Sequence, residues 1–203
     1  MKRFIFASSG GAIYGEPVRA PQDEEHPLAP MSPYGCAKLS VEHYLHYFRV
    51  VHGLSSVALR YANVYGPRQD AAGEAGVVAI FAGKLLRGEA VTINGSGEQT
   101  RDYVHVGDVV AANVAAAEGA WQGSFNVGTG VETSVNALYA AMASHVDTPK
   151  SPVHAAAKAG EQMRSVLDGT RLRALANLPP SRSLSDGLAS TLGWFRSTQA
   201  PRS

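Results

Sequence analysis

Near its start, this chain carries two short apolar segments with a long helical pattern between them. The first segment, Phe4–Ala7, ends in serines and glycines, and the second, Val57–Leu59, runs into polar residues before a Gly-Pro stop. Short apolar runs of this kind are typical of buried parallel strands, and the stretch from about Pro33 to His52 predicts the helix that connects them. The pattern therefore predicts a βαβ unit, and with it an α/β fold built on a parallel sheet.

The predicted helix places a phenol and an ammonium group one turn apart at its start. Ser32 is a favourable N-cap residue and Pro33 is a favourable first helical residue. Tyr34 and Lys38 are four residues apart and therefore share one face of the helix. A fixed ammonium beside a phenol favours the phenolate, which can accept the proton of an alcohol. The pair predicts the chemistry of alcohol oxidation, with a chance pairing on a solvated helix as the alternative.

The same helix has an apolar stripe that we expect to pack on the sheet. The stripe consists of residues at spacings of three and four: Tyr34, Ala37, Val41, Leu45 and Phe48. Gly53 is the expected stop of the helix. A segment rich in proline and acidic residues, from Glu16 to Pro30, predicts a surface loop of the kind that often borders active sites.

Later segments predict further elements. The stretch Gly76–Gly88 has helical periodicity, and Asn94–Gly97 predicts a hairpin turn between two short strands. An alternating strand that begins at Arg101 is expected to end in a capping aspartate, Asp108, before an alanine-rich helix. Because the turn leads into a strand and not into a helix, we do not interpret its glycines as a phosphate-binding loop.

The remainder of the chain continues the α/β pattern. Gly123–Val127 predicts another short parallel strand, followed by a helix from about 134 to 144. An amphipathic helix capped near Ser183 is expected close to the end of the sequence. We find no internal repeat and no low-complexity tract.

Together these motifs resemble the extended short-chain dehydrogenase/reductase superfamily and, within it, the NAD-dependent epimerase/dehydratase family. They are Ala7-Ser8-Ser9-Gly10-Gly11-Ala12-Ile13-Tyr14-Gly15-Glu16, Ser32-Pro33-Tyr34 with Lys38, and Gly95-Ser96-Gly97 leading into Arg101-Asp102-Tyr103-Val104-His105-Val106. The resemblance runs from Lys2 to about Phe195 and is strongest to nucleotide-sugar 4-epimerases of the UDP-glucose 4-epimerase type. It implies an α/β fold: the C-terminal half of a doubly wound Rossmann-type parallel sheet plus a small α/β substrate-binding part.

The resemblance divides the chain at about residue 75. Residues 1–75 correspond to a partial NAD-binding Rossmann domain, and residues 76–203 correspond to the substrate-binding part, with segments near 101–130 returning to the Rossmann sheet. Members of this class carry a glycine-rich turn after the first strand and an acidic residue about 20 positions later, and the sequence shows neither. We expect the chain to begin at the fifth strand, with roughly 100 residues missing. A start assigned too late in a longer reading frame is favoured over a genuine remnant.

The resemblance also implies roles for individual residues. Tyr34 would take the proton of the C4 hydroxyl of a UDP-hexose, while Lys38 would hold the ribose of the cofactor NAD. Ser9 or Ser8 would hydrogen-bond the same sugar oxygen, and the spacing of 25 residues to Tyr34 favours Ser9. A transient 4-keto sugar would then be reduced on its other face.

Further contacts follow from the same comparison of motifs. The implied cofactor-binding residues are Ala7, Ser8, Tyr34, Lys38, Tyr61 and Ala62. The implied substrate-binding residues are Ser9, Asn63, Arg101 and Lys158. Arg101 and Lys158 would hold the diphosphate of the substrate. Lys158 stands where the family usually has an arginine, so a point charge replaces a bidentate fork.

Three alternatives to an intact epimerase remain open from the sequence. A nucleotide-sugar dehydratase needs an Asp-Glu pair after its catalytic hydroxyl, and Gly10 and Gly11 occupy those positions. A reductase that releases its product is a second alternative within the family. A truncated, catalytically inactive fragment is the third, and such a fragment would either stand alone or complement a separately encoded first half.

The amino-acid composition limits the classes of binding partner that we expect. The formal net charge of +1 gives no electrostatic case for nucleic acid or for an anionic membrane surface, and no long apolar run or signal-peptide pattern occurs. The single Cys36 fits a reducing compartment, so we expect a cytoplasmic protein. His43, His46 and His52 share the long helix, but no companion ligands complete a metal site, and none is expected. The resemblance also implies a homodimer that uses the helix 33–52.

Overall fold

The computed structural model of the protein describes residues 3–70, 76–158 and 160–199. Lys2, where the resemblance begins, and Ala159, within the Lys158–Glu161 pattern, lie outside the described residues. The strands are β1 (Phe4–Ser9), β2 (Ser56–Tyr61), β3 (Asn63–Tyr65), β4 (Thr92–Asn94), β5 (Thr100–Arg101), β6 (Tyr103–His105), β7 (Gly123–Val127), β8 (Thr133–Ser134) and β9 (Val153–Ala155). The helices are α1 (Gly10–Tyr14), α2 (Pro33–His52), α3 (Val77–Leu86), α4 (Val106–Glu118), α5 (Val135–Ala143), α6 (Thr170–Ala176) and α7 (Leu184–Gln199).

A three-stranded parallel sheet with the order β1-β2-β7 forms the centre of the fold. The elements β1, α2 and β2 are the predicted βαβ unit, and Ser9 lies beside Tyr61 at the carboxyl ends of the two strands. The predicted parallel strand Gly123–Val127 is confirmed as β7, which pairs with the other side of β2. The predicted fold class, an α/β protein with half of a doubly wound Rossmann-type sheet and a smaller α/β part, is confirmed.

The long helix α2 has the predicted ends. The Ser32 side chain accepts a hydrogen bond from the Gly35 amide at 3.1 Å, which satisfies one of the free donors of the first turn. Gly53 follows the last turn with a left-handed φ of 65°, and its amide donates to the carbonyl of Arg49. Both ends are therefore set by local side-chain chemistry.

The face of α2 that contacts the sheet differs from the predicted stripe. Leu45 is buried, but four residues of that stripe are half-buried or exposed: Tyr34, Ala37, Val41 and Phe48. The buried positions of α2 instead include Gly35 and Glu42. The hydrophobic pattern missed this face because its buried long side chain is a carboxylate, which pairs with Arg60 of β2.

The opposite face of the sheet packs on α4. Alternate residues of a strand point to opposite faces, so Val57 and Leu59 of β2 lie on this side together with Phe125 of β7. They contact Val109 and Ala112 of α4 in one apolar cluster. Each fully buried Val, Leu or Phe stabilises the fold by about 1.5–3 kcal/mol.

A second apolar core joins α3, α5 and α7 to the short strand β4. Its buried members include Phe81, Leu85, Ile93, Leu138, Met142, Leu188 and Leu192. The predicted helices near 76–88 and 134–144 are confirmed as α3 and α5. The predicted cap of the last helix is also confirmed, since Ser183 accepts a hydrogen bond from the Asp186 amide at 3.1 Å.

The predicted hairpin at Asn94–Gly97 was wrong. Gly95 and Gly97 adopt positive φ angles of 66° and 79°, so the chain does turn there. The strands on either side do not pair with each other, because β4 pairs with β9 and β5 pairs with β8. Turn residues report a local change of direction, whereas pairing depends on strands that arrive from elsewhere in the chain.

The predicted aspartate cap of the alanine-rich helix was also wrong. His105 precedes α4, and its Nδ1 accepts a hydrogen bond from the Gly107 amide at 3.0 Å. Asp108 lies inside the first turn, where its negative charge interacts favourably with the helix dipole.

The two expected parts of the chain are connected by strand pairing. Their expected boundary falls next to residues 71–75, which lie outside the described residues. β3 pairs with β6, and β7 lies in the sheet with β1 and β2. In the described ranges, no helix combines the length and the apolar composition needed to cross a membrane.

Candidate active site

A cleft of about 510 Å³ opens at the carboxyl ends of β1 and β2. In open parallel sheets, ligands bind at this edge, where loops after the strands supply polar groups. Segments from α1, from the start of α2 and from residues 160–165 complete its walls. Six of the predicted site residues line it: Ser9, Tyr34, Tyr61, Ala62, Asn63 and Arg101.

Tyr34 lines this cleft, and Lys38 lies next to Tyr34 on α2, as their spacing predicted. Tyr34 sits in the first turn of α2 with 57% of its surface exposed, so its phenol is accessible from the cleft. The Lys38 ammonium lies 5.5 Å from the centroid of the Tyr34 ring and 4.9 Å from that of Phe6. It donates a hydrogen bond of 2.8 Å to the carbonyl of Ala7. The ammonium is thus held beside the phenol and anchored to β1.

The two candidate serines have different environments. Ser8 is 3% exposed, and its hydroxyl donates to Glu42 Oε1 at 2.5 Å, underneath α2. Ser9 is the next residue of β1 and lines the cleft together with Tyr34. Since neighbouring residues of a strand point to opposite faces, only one of the two can serve the cleft. The geometry favours Ser9.

Tyr61, the last residue of β2, and the two residues that follow it line the cleft. The Tyr61 hydroxyl exchanges hydrogen bonds with the side-chain amide of Asn113 on α4, at 2.8 and 3.0 Å. Burial raises the pKa of Tyr61 and outweighs the opposing effect of Asn113. The amide of Ala62 bonds to Val127 O, and the amide of Asn63 bonds to Asp102 O. The Tyr61 hydroxyl is therefore engaged away from the cleft, and the chain at Ala62 and Asn63 is fixed.

Arg101 and Lys158 meet at a neighbouring cavity. Arg101 lines the main cleft and also a second cavity of about 280 Å³, which Lys158 and Asn63 line as well. A guanidinium nitrogen of Arg101 lies 3.7 Å from a carboxylate oxygen of Glu161. Lys158 does not line the main cleft. The two predicted diphosphate ligands thus share the second cavity, and of the two only Arg101 also lines the main cleft.

Tyr103 adds a polar group to the second cavity that the sequence interpretation missed. It is 5% exposed, and its buried hydroxyl has no hydrogen-bond partner among the described residues. Burial raises the pKa of Tyr103 to about 12, with nearby Arg101 opposing the rise. A buried hydroxyl without a partner is costly, so this wall is suited to a polar ligand. The signal was present in the sequence, since Tyr103 is two residues from Arg101 on the same side of an alternating strand.

A buried ion pair lies between α2 and the sheet, next to the site, and was not predicted. Arg60 and Glu42 have side chains that are 7% and 6% exposed and meet at 2.7 Å. Glu42 also accepts from Ser8 and from Ser124, and Arg60 donates to the Tyr14 hydroxyl at 2.8 Å. The network ties α2 to β1, β2 and β7. Only one sign of this network was present in the sequence. Charged residues occupy positions where the hydrophobic pattern predicts apolar side chains.

Another missed carboxylate, Asp102, holds the loops beyond the sheet. It is fully buried and accepts hydrogen bonds from the amides of Thr129, Gly130 and Leu167, and from the Thr129 hydroxyl. Burial raises its pKa, and these hydrogen bonds act in the opposite direction. Asp102 therefore fixes the chain next to Arg101.

The segment that forms one wall of the cleft is tied to the loop after α1. The carboxylate of Glu16 accepts hydrogen bonds from the amides of Met163 and Arg164. Gln162 donates to the carbonyl of Gly15, and its neighbour in the cleft wall, Ser165, is 2% exposed. Gln162 and Ser165 carried no recognisable signal in the sequence, because only the folded chain brings them to the cleft.

Comparisons with known proteins agree with this geometry. The profile of the NAD dependent epimerase/dehydratase family matches residues 1–128. A UDP-glucose 4-epimerase from Mycolicibacterium smegmatis is 45% identical over 197 residues, which cover 97% of this chain and 63% of that protein. The chain thus spans less than two thirds of that relative.

Solved structures give the same result. The crystal structure of a UDP-glucose 4-epimerase from Thermotoga maritima with UDP-glucose superposes with a TM-score of 0.94 at 49% identity, over 98% of this chain and 64% of that one. A UDP-glucose 4-epimerase from Thermus thermophilus in complex with NAD superposes with a TM-score of 0.88 at 41% identity, over 96% of this chain and 64% of that one.

Proposed function

Because this chain belongs to the NAD dependent epimerase/dehydratase family, we propose that it carries the catalytic and sugar-binding part of a UDP-glucose/UDP-galactose 4-epimerase. The observation that carries the proposal is that Ser9 and Tyr34 line one cleft, with the Lys38 ammonium 5.5 Å from the centroid of the Tyr34 ring. A base, a hydroxyl donor and a cation at the carboxyl edge of a parallel sheet suit the oxidation of a secondary alcohol.

The residues present fit one end of a bound NAD. Lys38 uses one of its three N–H donors on the Ala7 carbonyl, and its ammonium lies beside the Tyr34 ring, so a ribose hydroxyl could accept from a remaining donor. Ala7, Ser8, Tyr61 and Ala62 would border the cofactor. When bound, NAD would accept a hydride from C4 of the sugar and return it. The chain spans about 63% of its relative, so the complete cofactor site is proposed for the longer protein.

The chain's own side chains would then move one proton. Tyr34, as phenolate, takes the proton of the C4 hydroxyl, and the neighbouring Lys38 ammonium stabilises that charge. Ser9 hydrogen-bonds the same oxygen and keeps it oriented. After the 4-keto sugar has rotated, Tyr34 returns the proton to the same oxygen, and C4 is inverted because it would regain its hydride on the opposite face.

The nucleotide would be held by the second cavity while the sugar turns. Arg101 faces both spaces, so it is placed to hold a diphosphate between them, with Lys158 supplying a further positive charge. Asn63 lines both cavities and would contact the substrate beside Arg101. An anchored diphosphate permits rotation of the sugar without release of the 4-keto intermediate.

The loop that contains Gly10 and Gly11 disfavours a dehydratase. A side chain at Gly10 would place its Cβ 2.4 Å from the Leu167 side chain, and one at Gly11 would place its Cβ 2.7 Å from the Ser165 hydroxyl. The acidic pair that dehydration requires is absent, and an acidic pair at these positions would displace the side chains of Leu167 and Ser165. A reductase would share the same proton chemistry but would transfer hydride in one direction only, with net oxidation of its nicotinamide cofactor, and would release the reduced product.

We also propose a homodimer and a cytoplasmic location. Four large side chains of α2 are between 42% and 66% exposed: Tyr44, Tyr47, Phe48 and Val51. An exposed aromatic and aliphatic face of this extent is typical of a protein interface. The exposed free thiol of Cys36 suits a reducing compartment, where nucleotide sugars would be the substrates.

The test separates binding from turnover. Purified chain is titrated with UDP-glucose by calorimetry and is then incubated with NAD and UDP-galactose, with the anomeric proton of the product followed by NMR. Saturable binding that Arg101→Met removes is the expected result for this chain, and conversion to UDP-glucose is the expected result for the longer protein, which would hold the complete cofactor site. Binding without turnover would identify the chain as an inactive fragment of such an enzyme. If the chain shows no binding and no turnover is found, the proposal is overturned.

A further inference from the structure

A separate cavity of about 180 Å³ lies between α2 and the starts of β2 and β7. It is at the amino ends of these strands, whereas the cleft of Tyr34 is at their carboxyl ends, and the two spaces share no lining residue. The activity proposed above does not use it.

The cavity follows from the side chains that β2 turns toward α2. Alternation along the strand places Ser56, Ala58 and Arg60 on this face, while Val57 and Leu59 face α4. Two of the three are small, and β7 adds only Gly123 and Ser124. A helix that packs over small residues leaves unfilled space. Protein interiors rarely keep such space without an occupant or a penalty.

Ser56 supplies an unsatisfied hydroxyl on the floor of this space. Ser56 is 0% exposed, and its hydroxyl oxygen has no hydrogen-bond partner among the described residues. Buried polar groups almost always have a partner, so this hydroxyl is available to hydrogen-bond a molecule that enters the cavity.

The charges around the cavity favour an anion. Glu42 is the only carboxylate among its lining residues, and both oxygens of Glu42 are occupied: Arg60, Ser8 and Ser124 donate to them. Its charge is balanced by Arg60 at 2.7 Å. The half-buried Arg49 is the further cation of the lining, and it donates to Nδ1 of His46 at 3.0 Å. The cavity therefore carries a net positive charge.

The remaining wall is aliphatic. Leu28, Leu39 and Leu45 line the cavity opposite the polar floor. Inorganic phosphate would gain nothing from these side chains, whereas a small organic body would bury apolar surface against them. A dry cavity of about 150 Å³ accommodates a benzene ring, so a slightly larger space suits a ring or a short chain that carries one carboxylate.

We propose that this cavity binds a small organic carboxylate, with its apolar body against the three leucines and its charge near Arg49 and Ser56. The site is separate from the cleft at Tyr34, so this proposal can be tested independently of the epimerase activity.

The test is an NMR titration of the ¹⁵N-labelled chain with benzoate. Saturable shifts confined to residues of α2, β2 and β7 around the cavity are expected, with a Kd of about 1 mM for a ligand of this size. Arg49→Met should weaken binding about tenfold, the effect of losing one charge-assisted hydrogen bond. Ala58→Leu should abolish binding by filling the space. Arg19→Met, at an arginine outside the cavity, is the matched control and should bind normally.

Three results would each overturn the proposal. They are the absence of saturable shifts, shifts centred on the Tyr34 cleft, and inorganic phosphate that binds as tightly as benzoate. If Ala58→Leu does not fold, as judged from its amide spectrum, Arg49→Met decides the question, because its side chain is only half-buried. Unchanged affinity in Arg49→Met would then reject the site.

Discussion

Ser8 and Ser9 are neighbours in β1, yet they have different partners. Ser8 is bound to Glu42 beneath α2, and Ser9 lines the cleft. Their spacing to Tyr34 favoured Ser9 from the sequence alone, and the geometry supports the same residue. Its role as the hydroxyl donor stays a prediction until activity is measured.

Tyr34→Phe should lower the turnover of UDP-galactose by at least about 100-fold, the usual contribution of a general acid–base group. The KM should change little, because the phenol contacts only the reacting oxygen in the proposed mechanism. Steady-state kinetics with NAD present measures both quantities. Tyr44→Phe, at a phenol on the same helix but outside the cleft, is the control and should be unaffected. Equal turnover in Tyr34→Phe would contradict the assignment of the base.

Glu42→Gln should destabilise the fold by about 3 kcal/mol, because it leaves the buried guanidinium of Arg60 without a counter-charge. Urea unfolding followed by circular dichroism measures the loss. Asp23→Asn breaks the exposed pair with Arg19 and should have a much smaller effect, since solvent screens that interaction. Similar losses in both variants would show that the buried pair has no special role.

At the scale of elements, helix ends show how far local chemistry reaches. Ser32 and Gly53 delimit α2 as predicted, because both act on neighbours in sequence. The start of α4 was predicted less well, since the capping atom is Nδ1 of His105 and not the carboxylate of Asp108. A neutral imidazole nitrogen can cap a helix only if tertiary packing holds the ring in place.

The free energy of unfolding depends on pH through the imidazole of His105, which caps α4. Burial lowers the pKa of His105, with a further lowering by Arg182 and an opposing effect of Asp108. The unfolded chain therefore binds this proton at higher pH than the folded chain does. Stability is complete above the unfolded pKa of about 6.5 and falls as the pH drops through the lower folded value.

His105→Asn should reduce that pH dependence, because asparagine caps helices without titrating. Unfolding free energies at about pH 7.5 and about pH 5.5, on either side of the ordinary histidine pKa, give the comparison. The variant should lose less stability on acidification than the parent chain does. His43→Asn, at an exposed histidine of α2, should retain the parent slope. An unchanged slope in His105→Asn would reject the cap as its source.

At the scale of the whole molecule, the exposed aromatic face of α2 predicts association. Phe48→Arg should shift a dimer toward the monomer in sedimentation velocity, because a charge would have to be buried in the interface. Val110→Arg, on an exposed face of α4, should leave the distribution unchanged. A parent chain that is monomeric at high concentration would show that this face does not support a dimer on its own.

The sequence by itself determined the βαβ unit, the ends of α2 and the pairing of Tyr34 with Lys38. These follow from periodicity, capping and spacing within a few turns, which depend on neighbours along the chain. Only the tertiary structure decided that Ser8 turns to Glu42, 34 residues away, and that β4 pairs with β9. It also decided that the buried face of α2 includes the carboxylate of Glu42 beside Leu45, and not the whole predicted apolar stripe. Burial of a charge is favourable only when its partner is in place, and the partner is fixed by folding and not by position in the sequence.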